Sequence, residues 1–142
     1  MESELKRTII LEHYQNPKNR GLQNKDEYLK VNTNSKSCID QIDLEILVED
    51  GVVKDIRFDG EACAICTSST SIMISILIGK KMSDALNIID NYEKMINEEE
   101  YDEKILEEAI VYSDISKQPN RKNCALLTWQ GTKEVLNNKL NH

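Results

Sequence analysis

The chain has 142 residues, of which 39% are apolar, 30% charged and 5% aromatic, and it carries a net charge of −7. That length and balance suit one globular domain over 1–142 with a core of its own. They argue against nucleic acid or an anionic membrane surface as partner, since both are polyanions, and the few aromatic residues leave little to stack on unpaired bases. The longest apolar segment, Ile72 to Ile78, is broken by Ser75 and stops at Gly79, far short of the roughly 18 residues a membrane helix needs. Met1-Glu2-Ser3-Glu4 is acidic where an export signal is basic, so a cytoplasmic location is expected. Thiols stay reduced there, and cysteines serve metal or catalysis more often than disulfides.

Leu5, Ile9, Ile10 and Tyr14 recur at helical spacing and predict an amphipathic helix over 4–14, ended by Asn16-Pro17 and Asn19-Arg20-Gly21. Residues 22–37 are polar and read as loop. From Ile42 the period becomes two: Ile42, Leu44, Ile46 and Val48 fall on one face, Asp43, Glu45 and Glu49 on the other. Asp50-Gly51 is a favoured two-residue hairpin turn, and the return strand places Val52, Ile56 and Phe58 inward. Gly60 closes that strand. Small polar residues 67–71 then lead into an apolar helical segment ending at Gly79-Lys80-Lys81. Ser83 is placed to cap a further helix to about Ile96. The acidic run 98–103 reads as a solvated excursion before a short helix near Ile105 to Tyr112. Pro119 interrupts, and a last helix is expected from about Cys124 to Leu140. Helix, then strands, then helices is an α+β order, with a small antiparallel sheet and helices packed on one face.

Three cysteines stand in contexts that favour chemistry over packing. Cys38 lies in a polar stretch, two residues before Asp40. Cys63 follows a strand-ending glycine and opens a helix, and Cys124 stands at the expected start of another beside Arg121 and Lys122. A helix N-terminus or neighbouring cations stabilise a thiolate. Three thiolates and one carboxylate make a tetrahedral zinc set, and one of the thiolates can also serve as a nucleophile. A buried free cysteine is often only a small hydrophobe, and no zinc-finger spacing is present. Cys63 and Cys66 form Cys-x-x-Cys, which admits a dithiol redox reading, although an antiparallel hairpin precedes it rather than a βαβ unit. Cys66 is expected one turn inside the helix and semi-buried. His13 reads as a surface or capping group.

These segments, taken in order, resemble the NifU/IscU superfamily of iron–sulfur cluster assembly proteins. His13-Tyr14-Gln15-Asn16-Pro17-Lys18-Asn19-Arg20-Gly21 is similar to the family's opening motif, and Cys38-Ile39-Asp40 stands where the family has Cys-Gly-Asp. Phe58-Asp59-Gly60-Glu61-Ala62-Cys63 resembles the second cysteine motif, and Arg121 to Trp129 around Cys124 resembles the third. Asn123, where IscU proteins have histidine, and residues 97–115, which resemble an insertion, point to the SufU branch.

The resemblance implies a SufE/NifU-like fold and zinc held by Cys38, Asp40, Cys63 and Cys124. It also implies sulfur accepted on Cys38 from a SufS-type, pyridoxal-phosphate-dependent cysteine desulfurase, and onward supply to iron–sulfur assembly proteins. The alternative within the same family is a scaffold that assembles a transient [2Fe-2S] cluster on these ligands. Two departures stand out. Ile39 replaces the family glycine and removes backbone freedom, and Cys66 is an added thiol able to replace Asp40 as a ligand or to act as a second sulfur site.

Overall fold

The hairpin built on Asp50-Gly51 is the centre of the architecture. The computed structural model describes residues 1–34 and 40–141. Three antiparallel strands, β1 (Leu29–Asn34), β2 (Gln41–Glu49) and β3 (Val52–Glu61), form one sheet in the order β1-β2-β3. Asp50 and Gly51 both have positive φ, 53° and 74°, as the tight turn between right-twisted strands requires.

Four α-helices accompany the sheet among the described residues: α1 (Ser3–Gln15), α2 (Ala64–Leu77), α3 (Met82–Ile96) and α4 (Pro119–Leu140). Three 3₁₀ turns, Glu103–Ile105, Glu107–Tyr112 and Ile115–Lys117, join α3 to α4. The fold is the expected α+β arrangement, with helices on one face of an antiparallel sheet. α4 packs on β1 and β2, α2 and α3 meet β3, and α1 lies on α2. Ile42, Leu44, Ile46, Ile56 and Phe58 from the sheet join Ile72, Met73, Leu77, Ile89, Tyr92 and Trp129 in the buried core. Gly131 lets α4 approach the sheet: a Cβ there would lie 2.5 Å from Thr33 Cγ2. No helix among the described residues is long and apolar enough to cross a membrane.

Five expectations need correction. Part of the polar stretch 22–37 is a strand, β1, which pairs Leu29 with Ile46 through to Asn34 with Gln41. On β3, Val53 rather than Val52 is fully buried. A bulge shifts the register from Leu47↔Asp55 to Val48↔Val53, so Lys54 has no partner on β2 and the facing alternation flips. Glu45, expected outside, is 1% exposed. Its carboxylate accepts the amides of Gln23 and Asn24 at 2.6 and 2.9 Å, so a buried charge is offset by two charge-assisted bonds that draw the 16–28 segment onto the sheet. Ser83 does not cap α3: the flanking residue is Lys81, without a side-chain cap. Finally, Pro119 does not interrupt a helix but starts one, as the first residue of α4, where its missing amide costs nothing and its fixed φ is already helical.

The outer edge of β3 is covered at both ends. Asn19 and Gly21 bond to the Phe58 backbone, and Lys80 and Gly79 bond to Val53. An exposed strand edge is thereby removed, and the Asn-Pro-x-Asn-x-Gly motif acquires a structural role. Asn19, at φ 58°, donates its side-chain amide to Asp55 and to the Ile56 carbonyl.

Candidate metal site

β2 and β3 run in register as far as Gln41↔Glu61, so the next residues on each strand, Asp40 and Ala62, leave the sheet side by side. Cys63 follows at once, with extended backbone angles, as the N-cap of α2. Gly60 makes the close approach possible. Its φ is +133°, and a Cβ on it would lie 2.1 Å from the Gln41 carbonyl oxygen. Arg20 braces the same point, donating to the Gly60 carbonyl at 2.6 Å with its guanidinium over the Phe58 ring.

Asp40 is 1% exposed. Its Oδ1 accepts the Cys63 amide at 2.7 Å, and its Oδ2 lies 3.7 Å from Cys63 Sγ. Cys63 Sγ in turn accepts the Cys66 amide at 3.4 Å. A carboxylate and a thiol therefore share the positive end of α2, where backbone N–H groups favour negative charge.

Cys124 completes the group. Its sulfur, that of Cys63 and an Asp40 carboxylate oxygen all lie within 4.8 Å of one another. Cys124 does not begin its helix, as expected from the sequence; α4 starts five residues earlier, and Cys124 sits buried in the second turn. The N-terminal stabilisation anticipated for it is confined to a helix's first turn and does not reach it. Asn123 is exposed.

The donor set fits a zinc ion. Zn–S bonds of about 2.3 Å and Zn–O bonds of about 2.0–2.2 Å at tetrahedral angles put sulfur and oxygen roughly 3.5 Å apart, close to the 3.7 Å between Cys63 Sγ and Asp40 Oδ2. Two thiols and a carboxylate are also ligands zinc prefers, and the described residues supply three of its usual four. Cys38 and Ile39 lie outside the described residues. Cys38 is nevertheless two peptide units from Asp40, a reach of about 7 Å between Cα atoms.

Two other expectations change. Cys66 is fully buried rather than semi-buried. His13 is not a surface group: Nδ1 lies 2.7 Å from Ser71 Oγ and Nε2 lies 3.3 Å from Glu108 Oε1. It ties the end of α1 to α2 and to the second 3₁₀ turn. Tyr112, from that turn, is buried beneath the site and hydrogen-bonds Ser68. Burial pushes its phenol well above the usual tyrosine range, with the nearby Cys66 and Cys63 thiols adding to the effect. The run Thr67 to Ser71, read from sequence as a polar lead-in, is wholly buried. The only signal of its role was the density of hydroxyls at consecutive helical positions.

Residues 5–125 match the family model of the NifU-like N-terminal domain. The chain is 41% identical over 100 residues to the iron–sulfur cluster assembly scaffold protein IscU of Thermotoga maritima, covering 70% of each chain. It is 35% identical over 127 residues to the zinc-dependent sulfurtransferase SufU of Bacillus subtilis, covering 89% of this chain and 85% of that one. The fold is similar to the crystal structure of a putative SUF-system scaffold protein, SufU, from Fervidobacterium islandicum. There the TM-score is 0.83 at 31% identity, over 90% of this chain and 93% of that one. The ordered motifs, the fold and these relatives agree, and the chain belongs to the NifU-like N-terminal domain family, whose relatives include iron–sulfur cluster assembly proteins.

Proposed function

We propose that this chain is a zinc-dependent sulfur carrier. It accepts persulfide sulfur on Cys38 from a SufS-type, pyridoxal-phosphate-dependent cysteine desulfurase and passes it to iron–sulfur assembly proteins. The observation that supports this most is the meeting of Asp40, Cys63 and Cys124 within 4.8 Å, with Cys38 tethered two residues from Asp40. Residues Cys38, Asp40, Cys63 and Cys124 would hold zinc, which when bound keeps thiolates deprotonated and masked at neutral pH. Asp40 also anchors the Cys63 amide, so it holds the α2 N-terminus in place while Cys38 engages a partner. The Cys38 thiolate attacks the terminal sulfur of the desulfurase persulfide. The S–S bond to the desulfurase cysteine breaks, that cysteine leaves as thiolate, and Cys38 carries the new persulfide.

The test combines metal analysis with mass spectrometry. Protein purified without oxygen is expected to contain about one zinc per chain. Incubation with a desulfurase and cysteine is expected to add one sulfur to the Cys38 peptide. Cys38→Ser should abolish that adduct, and Cys66→Ser should retain it. Cys63→Ala and Cys124→Ala should lose the zinc, and Asp40→Ala should weaken its binding less. A Cys66-dependent adduct would instead support the Cys63–Cys66 dithiol reading. The second family reading, assembly of a transient [2Fe-2S] cluster on the same residues, draws on the relative named as a scaffold in Thermotoga maritima. Iron and acid-labile sulfide in place of zinc would favour it.

A further inference from the structure

α2 carries Cys63 at one end and α4 carries Cys124, and a line of buried hydroxyls joins the two helices below the site. The Ser69 hydroxyl donates to the Ala125 carbonyl at 2.7 Å, and the Tyr92 hydroxyl, from α3, donates to the same carbonyl at 2.8 Å. The Trp129 indole N–H donates to Ser69 Oγ at 2.9 Å. The Trp129 ring stacks on Tyr92, with centroids 3.7 Å apart and planes 8° from parallel. Ser69, Tyr92 and Trp129 are all 0% exposed. Thr70 and Thr128 lie 2.8 Å apart, and Thr70 donates to the Cys66 carbonyl. Farther down, Thr132 meets Met73 Sδ at 3.4 Å.

A helical carbonyl ordinarily has one partner, the amide four residues on. Two further buried hydroxyls aimed at Ala125 are more than filling a core requires, since apolar groups of the same shape fill it without polar burial. What the hydroxyls add is direction. A hydrogen bond fixes angle as well as distance, whereas apolar contact alone permits helices to slide. Metal ligands tolerate deviations of only about 0.2 Å. The residue fixed in this way is the immediate neighbour of Cys124.

We propose that Ser69, Tyr92 and Trp129 are positioning residues for the metal site, holding Cys124 at ligand distance from Cys63 through the Ala125 carbonyl. The inference rests on Cys63 and Cys124 being ligands. None of the three belongs to the candidate ligand group of Asp40, Cys63 and Cys124. Tyr92→Phe removes one donor while keeping the ring stack. Ser69→Ala removes the other donor and also strips Trp129 of its acceptor. Thr132→Val serves as a control, equally buried on the same seam but two turns beyond Cys124.

The experiment measures zinc affinity by competition with a chromogenic chelator, the thiolate-to-cobalt absorption of the cobalt(II)-substituted protein, and the Tm of the metal-free protein. Tyr92→Phe should weaken zinc binding about tenfold and alter the cobalt–thiolate band, and Ser69→Ala should weaken it more. Thr132→Val should stay within about twofold of wild type even where its Tm falls as far. If Ser69→Ala does not fold, Tyr92→Phe decides alone. Unaltered zinc affinity and cobalt spectrum in Tyr92→Phe, whatever its Tm, would overturn the proposal. Cys124→Ser in the same assay separates the two levels. If it retains zinc, the ligand assignment fails. If it loses zinc while Tyr92→Phe keeps wild-type affinity, only the positioning role fails.

Discussion

Cys63 and Cys124 arrive at the same point by different means. Cys63 is fixed by its own neighbourhood: the hairpin register brings Asp40 beside it, Gly60 permits the close approach, and its N-cap position on α2 orients the thiol. Cys124 is fixed from far along the chain, through bonds between Ala125 and residues 56 and 33 positions away. The first half of the site depends on backbone geometry that any change at one glycine would upset. The second depends on several buried side chains that share the task. Damage to the first half should therefore be abrupt, and damage to the second graded.

Gly60→Ala is the severest way to break the local half. Its φ of +133° is closed to L-residues, and the added Cβ would meet the Gln41 carbonyl oxygen at 2.1 Å. Backbone strain together with a clash against backbone, which cannot rotate away, should cost about 3 kcal/mol. Thermal unfolding should show a large drop in Tm, and zinc content should fall with it because Asp40 and Cys63 separate. A variant that retains wild-type Tm would mean the strands do not meet as described.

Tyr112→Phe should have a smaller effect. It removes one hydrogen bond to Ser68 but leaves that serine its acceptors at Ala64 and Ile65. The edge-on contact with Tyr92, 6.4 Å between centroids, survives. The expected loss is about 1 kcal/mol in denaturant unfolding. A loss as large as that of Gly60→Ala would place this tyrosine among the principal supports of the first turn of α2, and would blur the distinction between local and shared support.

The local half was the half a reader of the sequence could find. Alternation from Ile42, the Asp50-Gly51 turn and a glycine before Cys63 are all short-range signals, and they located the hairpin and set Cys63 between its return strand and a helix. Asp40 stood out only by its place two residues after Cys38. Ser83 and Pro119 were misread at helix starts, where the signal is local, but other errors came where it was not. The bulge at Lys54 leaves no mark in the alternation, so Val52 was set inward in place of Val53. β1 was missed although Leu29, Val31 and Thr33 alternate with Lys30, Asn32 and Asn34, because the run is short, holds only two apolar residues, and asparagine is poor in strands. Glu45 is indistinguishable from a solvent-facing acid until the amides of Gln23 and Asn24 are seen against it. The buried seam was invisible for the same reason: serine and threonine in a helix read as surface, and only tertiary packing brings Ser69 and Tyr92 to one carbonyl and Trp129 to Ser69.

Long-range contact alone does not confer weight, and the smallest prediction separates distance in sequence from burial. Lys6 and Asp114 are 108 residues apart and join α1 to the last 3₁₀ turn at 2.8 Å. The hydrogen bond from Lys6 and its charge hold the Asp114 carboxyl below its ordinary range. A carboxyl lowered in the folded state stabilises the fold above its unfolded value near 3.8, and that contribution disappears as pH falls through the lower, folded value. The Asp114 side chain is 55% exposed, so water and salt screen the pair and the expected contribution is at most about 0.5 kcal/mol. Asp114→Asn should therefore leave stability at neutral pH almost unaltered, and should slightly flatten its decline below the ordinary carboxylate range. The difference from wild type should fade further in high salt. A loss at neutral pH as large as that of Tyr112→Phe would show that this surface tie carries structural load, and that burial is not what distinguishes the contacts supporting Cys124 from the rest.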